Sequence, residues 1–179
     1  MNGPFPYLSD EELAARELAI EAMTRANGGG ARSKSNGRKT KADSPKITED
    51  GAALEFAGLY RDRLLFDHDA GAWYQWTGSH WKREGTGLAL EWARQLARKL
   101  SDGQTSIRKT AFASGVEKFA RVDRTFAVTS SHWDRDPFVL GTPGGTVDLH
   151  TGVLRAADPG DAISRFTAVA PAEAPECPL

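Results

Sequence analysis

The stretch LLFDHDAGAWYQWTGSHWK, Leu64 to Lys82, decides the fold class. Leu64-Leu65-Phe66 is a short β run, and Asp67-His68-Asp69-Ala70-Gly71 has the composition of a turn. Ala72-Trp73-Tyr74-Gln75-Trp76 follows, then Thr77-Gly78-Ser79 as a second turn and His80-Trp81-Lys82 as a third run. Three short runs joined by tight turns predict an antiparallel meander. Strand alternation places Tyr74 and Trp76 on one face and Trp73 on the other.

Helical patterns flank the meander. Thr48 can cap a helix that runs to about Tyr60, with Leu54, Phe56 and Leu59 available for burial. Downstream, Leu88, Trp92, Leu96 and Leu100 recur every fourth residue beside Ala89, Ala93 and Ala97, which predicts an amphipathic helix. Asp102-Gly103 breaks it, and a second helix is expected over Ser106 to Val122 with Phe112, Val116 and Phe119 facing the core. A short irregular or helical piece carries Phe126, Val128 and Trp133.

The last third returns to β signals. Phe138-Val139-Leu140 leads through Gly141-Thr142-Pro143-Gly144-Gly145 into Thr146-Val147-Asp148-Leu149. His150-Thr151-Gly152 then turns the chain into Val153-Leu154-Arg155, with Gly152 suited to the left-handed position of a bulged hairpin. A final strand is expected over Ile163 to Val169. The class is α+β: a helical centre with a small antiparallel β-meander and a C-terminal β-hairpin region.

The N-terminal part differs in character. Leu8 to Ala26 reads as a short helix, with Ser9 and Glu12 forming a capping box and Asn27-Gly28-Gly29-Gly30 ending it. Ala31 to Lys46 holds Arg32, Lys34, Arg38, Lys39, Lys41 and Lys46 against Asp43, with no aliphatic residue larger than Ala. Such a stretch buries too little apolar surface to offset its ordering entropy and is expected to be a disordered linker. It serves either as a solvated tether or as a weak phosphate contact. The expected organisation is therefore 1–46 for the short helix and linker, 47–171 for the folded domain, and 172–179 for a Pro- and Ala-rich tail.

The 179 residues include 40% hydrophobic positions, five Trp and eight Phe, enough for a core. The formal charge is −1, so the whole molecule is no polybasic nucleic-acid binder, and any such contact needs a local patch. Cys177 is the single cysteine; it excludes an internal disulfide and a Cys-rich metal site, and it suits a reducing compartment. No apolar run approaches the ~18 residues that span a bilayer, and the N-terminus lacks a signal pattern. A cytoplasmic protein without membrane contact is expected.

Catalytic patterns are missing from the sequence. Gly141–Gly145 is followed by Thr146-Val147-Asp148, with no Lys to complete a phosphate-binding loop and strand-like residues where a helix must begin. His68, His80, His132 and His150 are scattered. Asp67-His68-Asp69 and Asp134-Arg135-Asp136-Pro137 are turn-forming before they are metal-binding or acid–base sets. Ser114, Ser130 and Ser131 sit in no nucleophile elbow. No metal and no cofactor is expected, and the chain reads as non-catalytic.

Two features point to binding. Trp73, Tyr74, Trp76 and Trp81 cluster on the meander, where they either build a core or leave a face that stacks bases or sugars. Arg94, Arg98 and Lys99 on the first central helix, with Arg108 and Lys109 opening the second, make a candidate phosphate patch; the alternative is a solvated helix surface. Cations in a first helical turn oppose the helix dipole unless an anion is near, which favours the patch.

Asp136-Pro137, then Thr142-Pro143-Gly144-Gly145-Thr146-Val147-Asp148-Leu149 and Thr151-Gly152, resemble the signature of phage and plasmid primases that carry a superfamily-three helicase. Asp158-Pro159, Ala170-Pro171 and Cys177-Pro178 continue that pattern. The Trp-rich meander and the two helices also fit, so the resemblance spans about Thr48 to Leu179. It implies the domain immediately N-terminal to the helicase motor, with an ATP-driven core expected beyond Leu179. It implies a DNA-replication accessory module that contacts single-stranded or forked DNA without sequence preference, assembles with the helicase motor or itself, or does both. A pure oligomerisation domain without nucleic-acid binding is the alternative, and a sugar- or peptide-binding module on Trp73, Trp76 and Trp81 is a third.

Overall fold

The computed structural model describes residues 47–101 and 103–172. The expected helix over 8–26, the basic linker and Cys177 lie outside the described residues. From Glu49 onward the chain forms one unit. Helix α1 (Glu49–Tyr60) leads into strands β1 (Leu64–Asp67), β2 (Ala72–Trp76) and β3 (Trp81–Arg83). Helices α2 (Leu88–Leu100) and α3 (Thr110–Val122) follow, then β4 (Ala127–Val128), β5 (Val139–Thr142), β6 (Gly145–Asp148) and β7 (Leu154–Arg155).

The α+β class is as expected, with one addition. The meander pairs antiparallel, Leu65 with Tyr74 and Trp76 with Trp81. Ala127–Val128, expected as irregular or helical chain, adds as a strand parallel to β1, giving the order β3-β2-β1-β4. This pairing is completed by Phe66 N–H on the Phe126 carbonyl and His68 N–H on the Val128 carbonyl. A two-residue strand has no periodicity to read, and only the long-range pairing defines it.

The helices cover the face that carries Leu64, Phe66 and Trp73. Phe56 and Phe126 meet edge-on at 5.7 Å, and Trp73 meets Phe66 at 5.1 Å and Phe126 at 5.7 Å. Phe56, Leu64, Val116 and Phe126 are fully buried, and burying each such side chain contributes about 1.5–3 kcal/mol. Within this layer the buried Glu117 of α3 accepts from Trp73 Nε1 at 2.6 Å and from Arg121 Nε at 2.7 Å. That carboxylate fixes the register of α3 against β2, because a buried charge is tolerated only when hydrogen-bonded.

The opposite face of the sheet is covered by chain from the C-terminal third. Trp133 lies on Tyr74 at 4.5 Å, and its Nε1 donates to Asp67. Trp81 Nε1 donates to the Pro159 carbonyl, and Trp81 N–H donates to that of Ile163. The second sheet, in the order β5-β6-β7, is the expected hairpin region. Gly152 has φ +71°, and its N–H bonds the Asp148 carbonyl at 2.7 Å.

Four expectations need correction. Leu54, expected to be buried, is 63% exposed, and Phe119, expected in the core, is 47% exposed. In α1 the small Ala52, Ala53 and Ala57 occupy the packed side with Phe56, so the close helix approach is made by alanines rather than by Leu54. Helix α3 starts at Thr110 rather than Ser106, because Lys109 is extended at ψ 148° and the preceding residues turn to bury Ile107. The strand expected over Ile163 to Val169 is reduced to a single bridge between Gly141 and Phe166. The N–H groups of Ser164 and Arg165 are taken by the Asp134 carboxylate instead of a neighbouring strand.

Candidate nucleic-acid interface

Helices α2 and α3 frame a groove of about 360 Å³. Arg94 and Arg98 line it from successive turns of α2, and Arg108 and Lys109 line it from the entry to α3. The groove thus gathers four of the five basic residues singled out in the sequence; Lys99 is exposed on α2 but is not part of its lining. Leu90, Ala97, Ile107 and Ala113 form its apolar parts.

The two helix starts that border this groove are treated differently. At α2, the Glu84 carboxylate accepts from the N–H groups of Thr86, Gly87 and Leu88 and from the Thr86 hydroxyl. Burial pushes Glu84 up, and these bonds outweigh it, so its carboxyl titrates below the usual range. Gly87, at φ +82°, allows the chain to turn tightly under that carboxylate. At α3, no side chain caps the helix and no acid lies in the first turn. The positive end of the α3 dipole therefore opens into a groove that already holds Arg94, Arg98, Arg108 and Lys109.

Two bonds organise the cations. Arg108 Nε donates to Ser101 Oγ at 2.9 Å, and Ser101 Oγ donates to the Arg98 carbonyl at 2.8 Å. Arg94 pairs with Glu91 at 2.6 Å, with Gln95 also donating to Glu91. The Arg94 and Gln95 bonds lower the Glu91 carboxyl, so it stays ionised and offsets part of the groove's charge. Glu91 and Ser101 were not singled out in the sequence. The i,i+3 spacing of Glu91 and Arg94 is a legible signal, whereas Ser101 acts across a turn that carries none.

The other sequence candidates resolve into structure. Asp67 accepts from Asp69 N–H, Ala70 N–H, the Ser130 hydroxyl and Trp133 Nε1, and Asp69 accepts from Ser130 N–H. Gly141–Gly145 forms the β5–β6 hairpin. Trp73 and Trp81 are buried, which removes two of the three rings of a sugar or peptide platform. Among the described residues no group of three His, Cys, Asp or Glu side chains gathers as a metal site. No helix of the described residues is long and apolar enough to cross a membrane.

No curated protein matches the chain significantly. A family model described as D5 N terminal like matches residues 53–179. The match takes in the groove helices, the Trp-rich meander and the Pro-Gly-Gly hairpin alike, and on that breadth the chain belongs to the D5 N terminal like family, the replication-associated N-terminal domains of primase-helicases.

Proposed function

We propose that this domain is a DNA-contacting accessory module of a primase-helicase, which holds the phosphate backbone of single-stranded or forked DNA on the α2–α3 groove. The observation that carries this reading is the meeting of Arg94, Arg98, Arg108 and Lys109 at a helix start that has neither a cap nor an acid. Backbone N–H groups at a helix N-terminus and flanking guanidinium groups both favour a phosphate oxygen. Lys99, exposed beside Arg98, extends the positive surface along α2. The contacts are to phosphate, so binding is sequence-tolerant and salt-sensitive.

The test is a fluorescence anisotropy titration of single-stranded and forked DNA at several salt concentrations. Arg98→Glu with Arg108→Glu, and separately Arg98→Glu with Lys99→Glu, should weaken binding. Each lost phosphate contact should flatten the log–log salt slope by about 0.7 for single strands. Unchanged affinity and slope in both double variants would remove the reading.

A second reading is supported by a separate observation. Leu140, Val147 and Leu154 stand in register across β5, β6 and β7, and Phe138 and Leu149 extend the same face. All but Val147 are exposed, so this apolar sheet face suits assembly with the helicase motor or with another copy. Light scattering that finds self-association in a chain without DNA affinity would favour a pure oligomerisation domain.

A further inference from the structure

Leu54 and Phe119, expected in the core and found exposed, belong to helices that lie side by side. Helices α1 and α3 run in the same direction: the Glu49 side chain lies over Gly115 in the middle of α3, and Phe56 meets Phe126 just beyond its end at 5.7 Å. Gly115, Phe119 and Val122 follow at i, i+4 and i+7, so Phe119 and Val122 continue the stripe of α3 on which Glu49 rests. Phe119 is 47% exposed, Val122 62% and Leu54 63%. Thr110 and Ala113, which line the basic groove, fall on the other side of α3.

The outward side of α1 is complementary to itself. Asp50, Gly51, Leu54 and Gly58 are exposed along it, and Arg61 is exposed just beyond the helix end. The negative charge stands at the start, where Glu49 precedes Asp50, and no charged residue between Asp50 and Arg61 is exposed. A helix side left to water ordinarily carries charges along its length. A second copy of α1, antiparallel and crossing near Glu55, sets Asp50 opposite Tyr60 and so beside Arg61 of that copy. A twofold axis repeats the pair at the other end. In the same register Leu54 falls between Leu54 and Gly58 of the second copy, where the missing side chain leaves room for it. Glu55 is half-buried and on the opposite flank from Asp50, so its two copies do not face each other. A parallel copy would bring like ends together, and a partner of one charge sign would leave one end of α1 unmatched.

We propose that two copies of this chain associate through α1, antiparallel about a twofold axis near Glu55, with Leu54 packed between the helices and Asp50 of each copy paired with Arg61 of the other. Phe119 and Val122 border α1 and widen the apolar part of the contact. One short helix and the edge of another supply an area at the low end of specific interfaces, about 1,200 Å² in total. The dimer is therefore weak and forms as concentration rises. The basic groove stays open on the far side of α3, and each dimer presents two of them.

Sedimentation velocity of the full chain without DNA, from micromolar to millimolar concentration, should show a monomer–dimer equilibrium. Leu54→Glu changes an exposed side chain and should weaken dimerisation at least about tenfold. Asp50→Arg and Arg61→Asp should each weaken it to a similar degree, because each brings like charges together at both ends of the crossing. Mixed in equal amounts, these two variants should associate again, since in a mixed pair every reversed end meets an opposite charge. Such a rescue separates a lost contact from a lost fold. Leu140→Asp with Leu154→Asp, on the second sheet, should leave the dimer intact. A chain that stays monomeric throughout, association that grows past the dimer, unaltered dimerisation in Leu54→Glu, no rescue on mixing, or loss of the dimer in the sheet variant would overturn the proposal.

Discussion

Arg108 donates its Nε hydrogen to the buried Ser101 hydroxyl, 2.9 Å away, and so is held beside Arg98 before any ligand arrives. A long cationic side chain fixed in this way loses less rotamer freedom on binding, a saving of about 0.5–1.5 kcal/mol. Ser101→Ala should therefore weaken DNA binding roughly two- to tenfold. The number of phosphates contacted stays the same, so the salt slope should match that of the unaltered chain. Anisotropy at several salt concentrations checks both, and a slope that falls with the affinity would mean that Ser101 does more than position Arg108.

Glu91 occupies one of the cations of the groove. Its carboxylate holds Arg94 at 2.6 Å, where a phosphate would compete for the same guanidinium. Glu91→Gln removes that competitor and one negative charge from the lining. Exposed pairs of this kind are weak, so DNA affinity should rise by no more than about fivefold at low salt. The gain should fade as the Debye length shrinks toward about 3 Å near molar salt. A loss of affinity in Glu91→Gln would show that Glu91 orients Arg94 toward the ligand rather than away from it.

The parts of this domain set by local periodicity were legible in the sequence. Leu88, Trp92 and Leu96 mark α2, the turns at Gly71 and Gly78 mark the meander, and Gly152 takes the left-handed conformation its place in the hairpin requires. Features made by distant groups were not. Ala127–Val128 is a strand only because β1 lies beside it, and the N–H groups of Ser164 and Arg165 are diverted to Asp134 from 30 and 31 residues away. At the groove, residue type and helical spacing were enough to single out Arg94, Arg98, Arg108 and Lys109. Their meeting depends on the turn that buries Ile107 and on Ser101, and neither follows a repeat.

Acid should weaken the fold through Asp67. The side chain is 1% exposed; burial alone would raise its carboxyl, but bonds from Ala70 N–H, Trp133, Ser130 and Asp69 N–H outweigh burial and leave it below the usual carboxylate range. A carboxyl depressed in the folded state stabilises the protein fully above its unfolded value of about 3.9, and the contribution is lost as pH falls through the folded value. Urea midpoints should therefore drop on going from neutral to about pH 3. Asp67→Asn should destabilise the neutral protein by about 2 kcal/mol or more, since charged acceptors hold their donors more strongly. It should also flatten the acid limb. Glu84, Glu91 and Asp148 are depressed in the same direction and should contribute to the slope that remains.

Gly145 joins the two halves of the second sheet at a place where no side chain fits. Its φ is +132°, and a Cβ there would overlap the Arg155 carbonyl oxygen of the neighbouring strand. Gly78, at φ +94°, and Gly152, at φ +71°, face open space. Ala at those two positions meets backbone strain alone, about 1 kcal/mol or somewhat more. Gly145→Ala meets the same strain and must also push β7 away from β6, breaking the Thr146–Arg155 pairing and displacing the Arg155 fork on Asp161. It should cost at least about 2–3 kcal/mol, read as the difference between its urea midpoint and those of Gly78→Ala and Gly152→Ala. Equal midpoints in all three variants would mean that β7 yields freely and that the β6–β7 edge does not restrain the hairpin.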